Sequence, residues 1–222
     1  MALGLAKPNS AFEIGPHSAP SFSSAWELAQ HYEHEWWGTE PNRRWDEEIA
    51  KQGTYARLMG LPADLDMGSK TILDVGCGPV SMLLRATHGG SVAVDPLVMS
   101  DETKAEFADA DVVLHQGKAE DFKPWKRFDE GWIYNCLQHV DDPNRVMSML
   151  LRSVDTVRIF EWIDMPVCEG HPHMLTVEQF ERWLPSDEWY CWIWNVGELR
   201  AETHRATGRY IAIHAIRNGS QT

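Results

Sequence analysis

The segment Ile72-Leu-Asp-Val-Gly-Cys-Gly78 decides the fold that this chain can adopt. A short, mostly apolar run that suits a buried strand leads directly into a turn with two glycines. Glycine tolerates positive backbone φ angles and lets a ligand approach the main chain closely. A helix is predicted to follow over residues 80–86. A strand, a glycine-rich turn and a helix in this order indicate an α/β fold with a ligand at the turn, and a tight turn without a ligand is the alternative.

Strand and helix patterns alternate beyond this segment. Short apolar strands that alternate with helices predict a parallel sheet with helices on both faces. Two strand-like stretches with nothing clearly helical between them end the pattern, and we expect them to pair antiparallel. The predicted strands cover residues 71–75, 91–95, 112–115, 131–136, 156–163, 189–196 and 209–216, and the further helices cover residues 101–108, 144–152 and 176–185.

A helical part is predicted before the sheet. Residues 1–22 carry prolines and glycines among small residues, so a loose lead-in is expected there. Helices are predicted over residues 25–37 and 45–59, and each is followed by glycine and proline. We therefore divide the chain into a helical cap or lid, residues 1–69, and a ligand-binding domain, residues 70–222.

The composition bounds the class of protein and its partners. The chain has 222 residues, of which 43% are hydrophobic and 24% charged, and this suits one α/β domain with a modest extension. Its formal net charge of -13 disfavours nucleic acid and anionic membrane surfaces as partners. The 4 cysteines form no Cys-x-x-Cys pair, and no stretch approaches the roughly 18 apolar residues of a membrane span. We expect a reduced, cytoplasmic protein.

Asp95 ends the second predicted strand, 21 residues after Asp74. Rossmann-like folds place an acidic residue about 20 residues beyond the first strand, where it accepts hydrogen bonds from ribose hydroxyls. A ribose contact is therefore predicted for Asp95, and a turn cap before Pro96 is the alternative role.

A polar turn over residues 117–121 follows the third predicted strand. A turn at this strand end can reach the amino group of an adenine. Glu120 or Asp121, or backbone amides near Ala119, are the candidate contacts, and a solvated surface turn is the alternative.

The first turn also distinguishes between ligands that share adenosine. A dinucleotide site has glycine or alanine at the position of Ser81, where the helix packs beside a pyrophosphate. The carboxylate of Asp74 would repel a pyrophosphate, but it suits the ammonium group of an amino acid, while the helix N-terminus would take the amino-acid carboxylate. A ligand with adenosine at one end and a zwitterion at the other is S-adenosylmethionine, so this is the predicted cofactor.

Residues 70–217 resemble the class I, Rossmann-like S-adenosylmethionine-dependent methyltransferases. The glycine-rich segment resembles the first motif of that family, residues 92–95 the second, residues 117–121 the third, and residues 135–143 the segment after the fourth strand. The resemblance implies a seven-stranded, mostly parallel sheet with the last strand antiparallel, and S-adenosyl-L-homocysteine as product. It also implies cofactor contacts at the matching positions, which are Asp74, Gly76, Cys77, Gly78, Asp95, Pro96, Ala119, Glu120, Asn135 and Cys136.

Three histidines are candidate catalytic residues. Methyl transfer from a sulfonium is a direct displacement, so a base is needed only when the acceptor holds a proton. His139 follows the fourth predicted strand, and His171 and His173 follow the fifth, so all three belong to the ligand-binding edge of the sheet. We expect bases or methyl-pocket residues, with helix capping and ordinary loop structure as the alternatives.

Two carboxylates, Glu161 and Asp164, belong to the same edge and are expected to contact the acceptor. Together with His171 and His173 they leave a metal site as a further alternative. No metal is predicted, because the cofactor chemistry does not require one.

Aromatic residues are abundant in the N-terminal helices, and the whole chain has 11 tryptophans. Trp36 and Trp37 are adjacent, so they cannot both face one core from a helix. One of them is expected to cover the substrate pocket, Tyr32, His34 and Trp36 are the candidate lid residues, and packing of the cap on the sheet is the alternative. Aromatic walls suit a planar or apolar acceptor, or the apolar face of a sugar.

The sequence therefore predicts a methyltransferase that acts on a small-molecule or sugar-type acceptor. Protein is the next acceptor class, and nucleic acid the third because of the charge. An NAD-dependent oxidoreductase or epimerase on the same fold and a protein that binds S-adenosylmethionine without catalysis are the alternatives. No membrane partner is expected, and the sequence allows a homodimer.

Overall fold

Seven strands form one sheet at the centre of the structure, which is a computed structural model. It describes residues 21–38, 41–200 and 207–220, and only the backbone of residues 41–44. The predicted lead-in therefore lies almost entirely outside the described residues. The strands are β1 (Ile72–Val75), β2 (Ser91–Asp95), β3 (Val112–Gln116), β4 (Phe128–Tyr134), β5 (Val154–Ile163), β6 (Trp189–Arg200) and β7 (Thr207–Arg217).

The strand order is β3-β2-β1-β4-β5-β7-β6. Strands β1 to β5 pair in parallel, while β7 runs antiparallel to both β5 and β6. The predicted Rossmann-like sheet with an antiparallel last strand is thus confirmed. From β1 the chain continues to β2 and β3 on one side of β1, and it then crosses to β4 on the other side of β1. This reversal of strand order opens a crevice at the carboxyl ends of β1 and β4.

Two hydrophobic clusters cover the two faces of the sheet. Successive residues of a strand point to opposite faces, so Leu73 joins one cluster and Ile72 the other. Helices α4 and α5 contribute to the first cluster, and α2 and α3 to the second. The helices are α1 (Ala25–Gly38), α2 (Pro41–Leu58), α3 (Asp101–Asp109), α4 (Pro143–Ser153) and α5 (Val177–Trp183).

The helix predicted over residues 80–86 is replaced by a short 3-10 helix, Met82–Arg85. The side chain of Ser81 caps it by accepting a hydrogen bond from the backbone of Leu83 at 3.0 Å. The crossover must return to Ser91 within residues 76–90, and turns occupy both of its ends, so only one tight turn of helix fits. The helix N-terminus that was predicted to hold the amino-acid carboxylate is therefore absent from the described crossover.

A buried ion pair fixes the end of α2 to the sheet, at the opposite end from the crevice. Arg158 donates to Glu130 at 2.7 Å and to the backbone carbonyls of Met59 and Gly60 at 2.9 Å each. Burial raises the pKa of Glu130, but hydrogen bonds and charge from Arg158, with a hydrogen bond from Lys70, bring it down to about 2. The pair therefore stays charged at neutral pH and holds the helical cap in place.

All four cysteines lie in the part of the chain that the structure describes and are free thiols, two of them buried. Within those same residues, no helix has both the length and the apolar character that crossing a membrane requires.

Candidate active site

A cavity of about 490 Å³ opens at the ends of β1, β2 and β4. Helices α1 and α2 form its opposite wall, and the loop after β5 and the ends of β6 and β7 border one side. Most residues predicted to bind the cofactor line this cavity. They are Gly76, Cys77, Gly78, Asp95, Pro96, Ala119, Glu120, Asn135 and Cys136.

The glycine-rich turn is shaped by two positive φ angles, +70° at Gly76 and +56° at Gly78. A Cβ atom at Gly76 would lie 1.9 Å from the sulfur of Cys136, which no side chain can accommodate. At Gly78 a Cβ atom would reach to 3.5 Å from the ring of Trp37. The fold therefore requires glycine at position 76. At both Gly76 and Gly78 the backbone itself borders the cavity.

Asp95 is buried at the end of β2, with an exposed fraction of 5%. Its two oxygens accept hydrogen bonds from the backbone of Gly78 at 2.7 Å and of Leu97 at 2.9 Å. Burial raises the pKa of Asp95 to about 6, and these two hydrogen bonds oppose the rise. Each carboxylate oxygen has a second lone pair, so Asp95 can still accept from the two hydroxyls of a ribose.

Asp74, predicted to face an ammonium group, is fully buried and does not line the cavity. Its Oδ2 accepts from the hydroxyls of Ser81 at 2.6 Å and Tyr134 at 2.8 Å, while Oδ1 has no hydrogen-bond partner among the described residues. Burial raises the pKa of Asp74 to about 7. The carboxyl therefore supports the turn from below, and its one open oxygen is the atom that a ligand donor would have to reach.

The turn over residues 117–121, which was predicted to contact an adenine, lines the cavity with only some of its residues. Glu120 lines it, but its Oε1 already accepts from the backbone of Asp141 at 2.8 Å and of Asp142 at 3.0 Å. Asp121 lies outside the cavity wall, where it pairs with Arg145 at 3.2 Å. The backbone and side chain of Ala119 remain as the direct boundary for an adenine.

His139 lines the cavity, and two acceptors surround its Nδ1 atom. The carbonyl oxygen of Gly170 lies at 2.9 Å and Glu33 Oε1 at 3.3 Å. Burial lowers the pKa of His139 to about 4, and the hydrogen bond to Gly170 opposes this. The ring of His171 also lines the cavity, with its centre 4.6 Å from that of His139. His139 is therefore neutral at physiological pH.

His173 is placed differently from the other two histidines. Its Nε2 lies 2.9 Å from the carbonyl oxygen of Val140 and 3.2 Å from that of Asp141, and the ring does not line the cavity. It ties the loop after β5 to the segment after β4. His173, predicted as a catalytic residue, therefore lies away from the cavity that His139 and His171 line, and these contacts fit the alternative of ordinary loop structure.

Glu161 and Asp164, which were predicted to contact the acceptor, do not line the cavity either. Glu161 is fully buried, and its Oε1 accepts from the backbone of Cys136 at 2.9 Å and of Leu137 at 3.0 Å. Burial raises the pKa of Glu161 to about 8. Asp164 pairs with Arg209 on β7. Within the described ranges, no group of three or more histidine, cysteine or acidic side chains could hold a metal ion.

Tyr32, Trp36 and Trp37 line the cavity, whereas the candidate lid residue His34 does not. The sequence reasoning missed their neighbours on the same helix and a second stripe on α2. These side chains recur at helical spacing, three or four residues apart, which was the signal that could have identified them. The missed cavity residues are Trp26, Gln30 and Glu33 on α1, and Glu48, Lys51, Gln52 and Tyr55 on α2.

Comparisons with known proteins agree with this geometry. Residues 73–156 match the family described as a methyltransferase domain, whereas no curated protein matches the sequence. The fold is similar to that of the Burkholderia thailandensis 1,6-didemethyltoxoflavin-N1-methyltransferase, at 17% identity and a TM-score of 0.57, over 92% of this chain and 94% of that one.

Two further solved structures share the fold. The complex of DhpI with SAM and HEP is 14% identical, with a TM-score of 0.56, over 87% of this chain and 99% of that one. YcgJ from Bacillus subtilis is 12% identical, with a TM-score of 0.56, over 76% of this chain and 100% of that one. Residues 73–156, from β1 to the start of β5, thus match the methyltransferase-domain family, and the complete seven-stranded sheet around them has the fold of these solved structures.

Proposed function

We propose that this chain is an S-adenosylmethionine-dependent methyltransferase that acts on a small-molecule acceptor, bound between the carboxyl ends of the strands and helices α1 and α2. The observation that supports this most strongly is the cavity between these elements. Both helices cover a cavity of about 490 Å³, a volume that suits a small ligand and its cofactor rather than a folded macromolecule.

The residues of the cavity fit S-adenosylmethionine, which supplies an activated methyl group when bound. We assign the ribose hydroxyls to Asp95, the adenine to the boundary formed by Pro96 and Ala119, and the amino-acid part to the turn around Gly76. The backbone of that turn, and not the buried Asp74, borders this part of the cavity.

Lys51 takes the role that was predicted for a helix N-terminus. It lines the cavity on α2 and pairs with Glu48. The neighbouring Gln52 donates to the backbone carbonyl of Val80 at 2.6 Å, which fixes this part of α2 against the glycine-rich turn. A positive charge there suits the amino-acid carboxylate of the cofactor.

The acceptor side has aromatic and apolar walls. Tyr55, Trp36, Trp162 and Met165 border the part of the cavity between α1, α2 and the loop after β5. Flat apolar walls suit a planar acceptor or the apolar face of a sugar. The similar fold of the 1,6-didemethyltoxoflavin-N1-methyltransferase, whose structure has 1,6-didemethyltoxoflavin bound, supports the same class.

The residues of this chain contribute mainly by positioning the reactants. The α1 and α2 side chains orient the acceptor and exclude water, so that the reacting atoms meet in line. His139 borders the same space and supplies a neutral imidazole, which can accept a proton from an acceptor that carries one.

Methyl transfer into a fractionated cell extract tests this proposal. With methyl-labelled S-adenosylmethionine, we expect label in the small-molecule fraction for the wild type and for Asp121→Asn, whose side chain is exposed outside the cavity. Asp95→Asn is expected to transfer little label. Label in protein or nucleic acid alone would contradict the acceptor class, and label in no fraction would favour a binding protein without catalysis.

A further inference from the structure

Glu33 places a carboxylate inside the cavity, from a position on α1. Its Oε1 lies 3.3 Å from Nδ1 of His139, across the boundary between the helical cap and the sheet. Burial raises the pKa of Glu33, and a hydrogen bond involving Trp37 and the charge of Lys51 oppose that rise. The Glu33 carboxyl group therefore lies beside a buried histidine within the site.

The surroundings of His139 determine which ring nitrogen carries the proton. The carbonyl oxygen of Gly170, 2.9 Å from Nδ1, can only accept a hydrogen bond. Nδ1 must therefore be the protonated nitrogen of the neutral ring, and Nε2 has the lone pair. Glu33 reinforces the same tautomer, because a carboxylate near Nδ1 also accepts from it.

We propose that Glu33 is a positioning residue that acts through His139, and that the acceptor reacts at a hydroxyl or a ring N–H. This inference rests on the proposed function and deepens it. An acceptor without a removable proton, such as a thioether or a tertiary amine, would need no pair of this kind.

The residues of the site account for every proton and electron pair in the proposed methyl transfer. The acceptor O–H or N–H bond breaks and its proton goes to Nε2 of His139, while the freed electron pair forms the bond to the methyl carbon. The pair of the carbon–sulfur bond remains on sulfur. The positive charge lost there reappears on the imidazolium, where the carboxylate of Glu33 stabilises it.

The other groups around His139 do not replace this carboxylate. His171, from the loop after β5, presents a second imidazole at 4.6 Å between ring centres. Gln30 on α1 donates to the backbone carbonyl of His139 at 3.4 Å, and Glu120 and Asp95 line the same cavity from the ends of β3 and β2. Among these groups, Glu33 is the acid within 4 Å of the ring.

Nitrogen-15 NMR of histidine-labelled protein tests the proposal without knowledge of the acceptor. Spectra are recorded with and without saturating S-adenosylhomocysteine, and His139→Gln assigns the ring signals. The variants are Glu33→Gln and a matched control on the same helix, Glu35→Gln, whose carboxylate pairs with His31 at 3.4 Å.

We expect the wild-type ring to carry its proton on Nδ1. In Glu33→Gln the Nδ1 proton resonance should move upfield and the pKa of the ring should fall by about 1 unit, while Glu35→Gln leaves both unchanged. A proton on Nε2 in the wild type, or an Nδ1 proton resonance that is the same in Glu33→Gln, would overturn the proposal. A wild-type proton on Nε2 overturns the proposal even where the variant does not fold, and failure of S-adenosylhomocysteine to bind would count against the proposed function alone.

Discussion

The hydroxyl of Tyr134 donates to Oδ2 of Asp74 at 2.8 Å and accepts from the backbone of Met82 at 3.1 Å. One side chain of β4 thus connects the end of β1 with the 3-10 helix that follows the glycine-rich turn. Ser81 completes the connection with a second hydrogen bond to the same oxygen of Asp74, at 2.6 Å. These three buried polar side chains therefore fix the shape of the glycine-rich turn, in the absence of an α-helix after it.

Replacing Tyr134 with phenylalanine should therefore destabilise the protein. The variant removes a donor from Asp74 and leaves the backbone of Met82 without this acceptor in a buried site. We expect the free energy of unfolding to fall by about 1–3 kcal/mol, measured by urea denaturation. Tyr190→Phe is the matched control, because that side chain is 56% exposed. Equal losses in the two variants would contradict the role given to Tyr134.

A methyl group at Gly76 should damage the site more than one elsewhere. Gly76→Ala places a Cβ atom 1.9 Å from the sulfur of Cys136, at a φ of +70°. We expect a loss of about 1–3 kcal/mol in stability and a fall in S-adenosylhomocysteine affinity, measured by calorimetry. Gly53→Ala on α2 meets no atom within 4 Å, so it should stabilise by roughly 0.5–1 kcal/mol and leave affinity unchanged. Unchanged affinity in Gly76→Ala would show that the turn does not shape the cavity.

Glu161 should make stability depend on pH. Its pKa is raised to about 8 by burial, so the folded state binds its proton more tightly than the unfolded state does. The stabilisation from this group is complete below the unfolded pKa, near 4.5, and is lost as the pH rises toward 8.

We therefore expect Glu161→Gln, which keeps an oxygen for the two backbone donors, to flatten this fall by on the order of 3 kcal/mol. Urea denaturation between pH 5 and pH 8 measures it. Glu181→Gln, on the exposed side of α5, should retain the wild-type slope. An equal slope in Glu161→Gln would mean that Glu161 is ionised in the folded protein.

The buried pair of Arg158 and Glu130 should matter for stability but not for the cofactor. Arg158→Met leaves a buried carboxylate without its main partner, which typically costs about 3–5 kcal/mol. Adding Glu130→Gln should recover part of that loss, since the uncompensated charge is then removed. Both variants should bind S-adenosylhomocysteine with wild-type affinity at temperatures where they are folded. Strictly additive losses would contradict the coupling of the two side chains.

The strands were predictable because parallel strands are buried on both faces and appear as continuous apolar runs. The four residues of β1 and the five of β2 are all buried. The 3-10 helix was not predictable, because its length depends on how the crossover around Ser81 fits between the ends of β1 and β2. The local sequence does not reveal the distance between these two strand ends.

The sequence located a residue of the cavity where residue type and spacing alone determine its position. Asp95 lines the cavity at the predicted strand end. Glu161 was assigned to the acceptor because it ends a strand in sequence, yet its side chain turns under the loop after β4. Glu33 and Lys51 were not predicted, because the role of polar residues on one face of a helix depends on the surface which that face contacts. The sequence alone does not show that surface.

Calorimetric titration with S-adenosylhomocysteine of the wild type, Asp95→Asn and Asp121→Asn tests whether the chain binds this cofactor through Asp95. We predict one bound ligand per chain in the wild type and in Asp121→Asn, and an affinity at least about tenfold lower in Asp95→Asn, which loses the charged acceptor for the ribose hydroxyls. A wild-type chain that binds NADH but not S-adenosylhomocysteine, or equal affinity in wild type and Asp95→Asn, would contradict it.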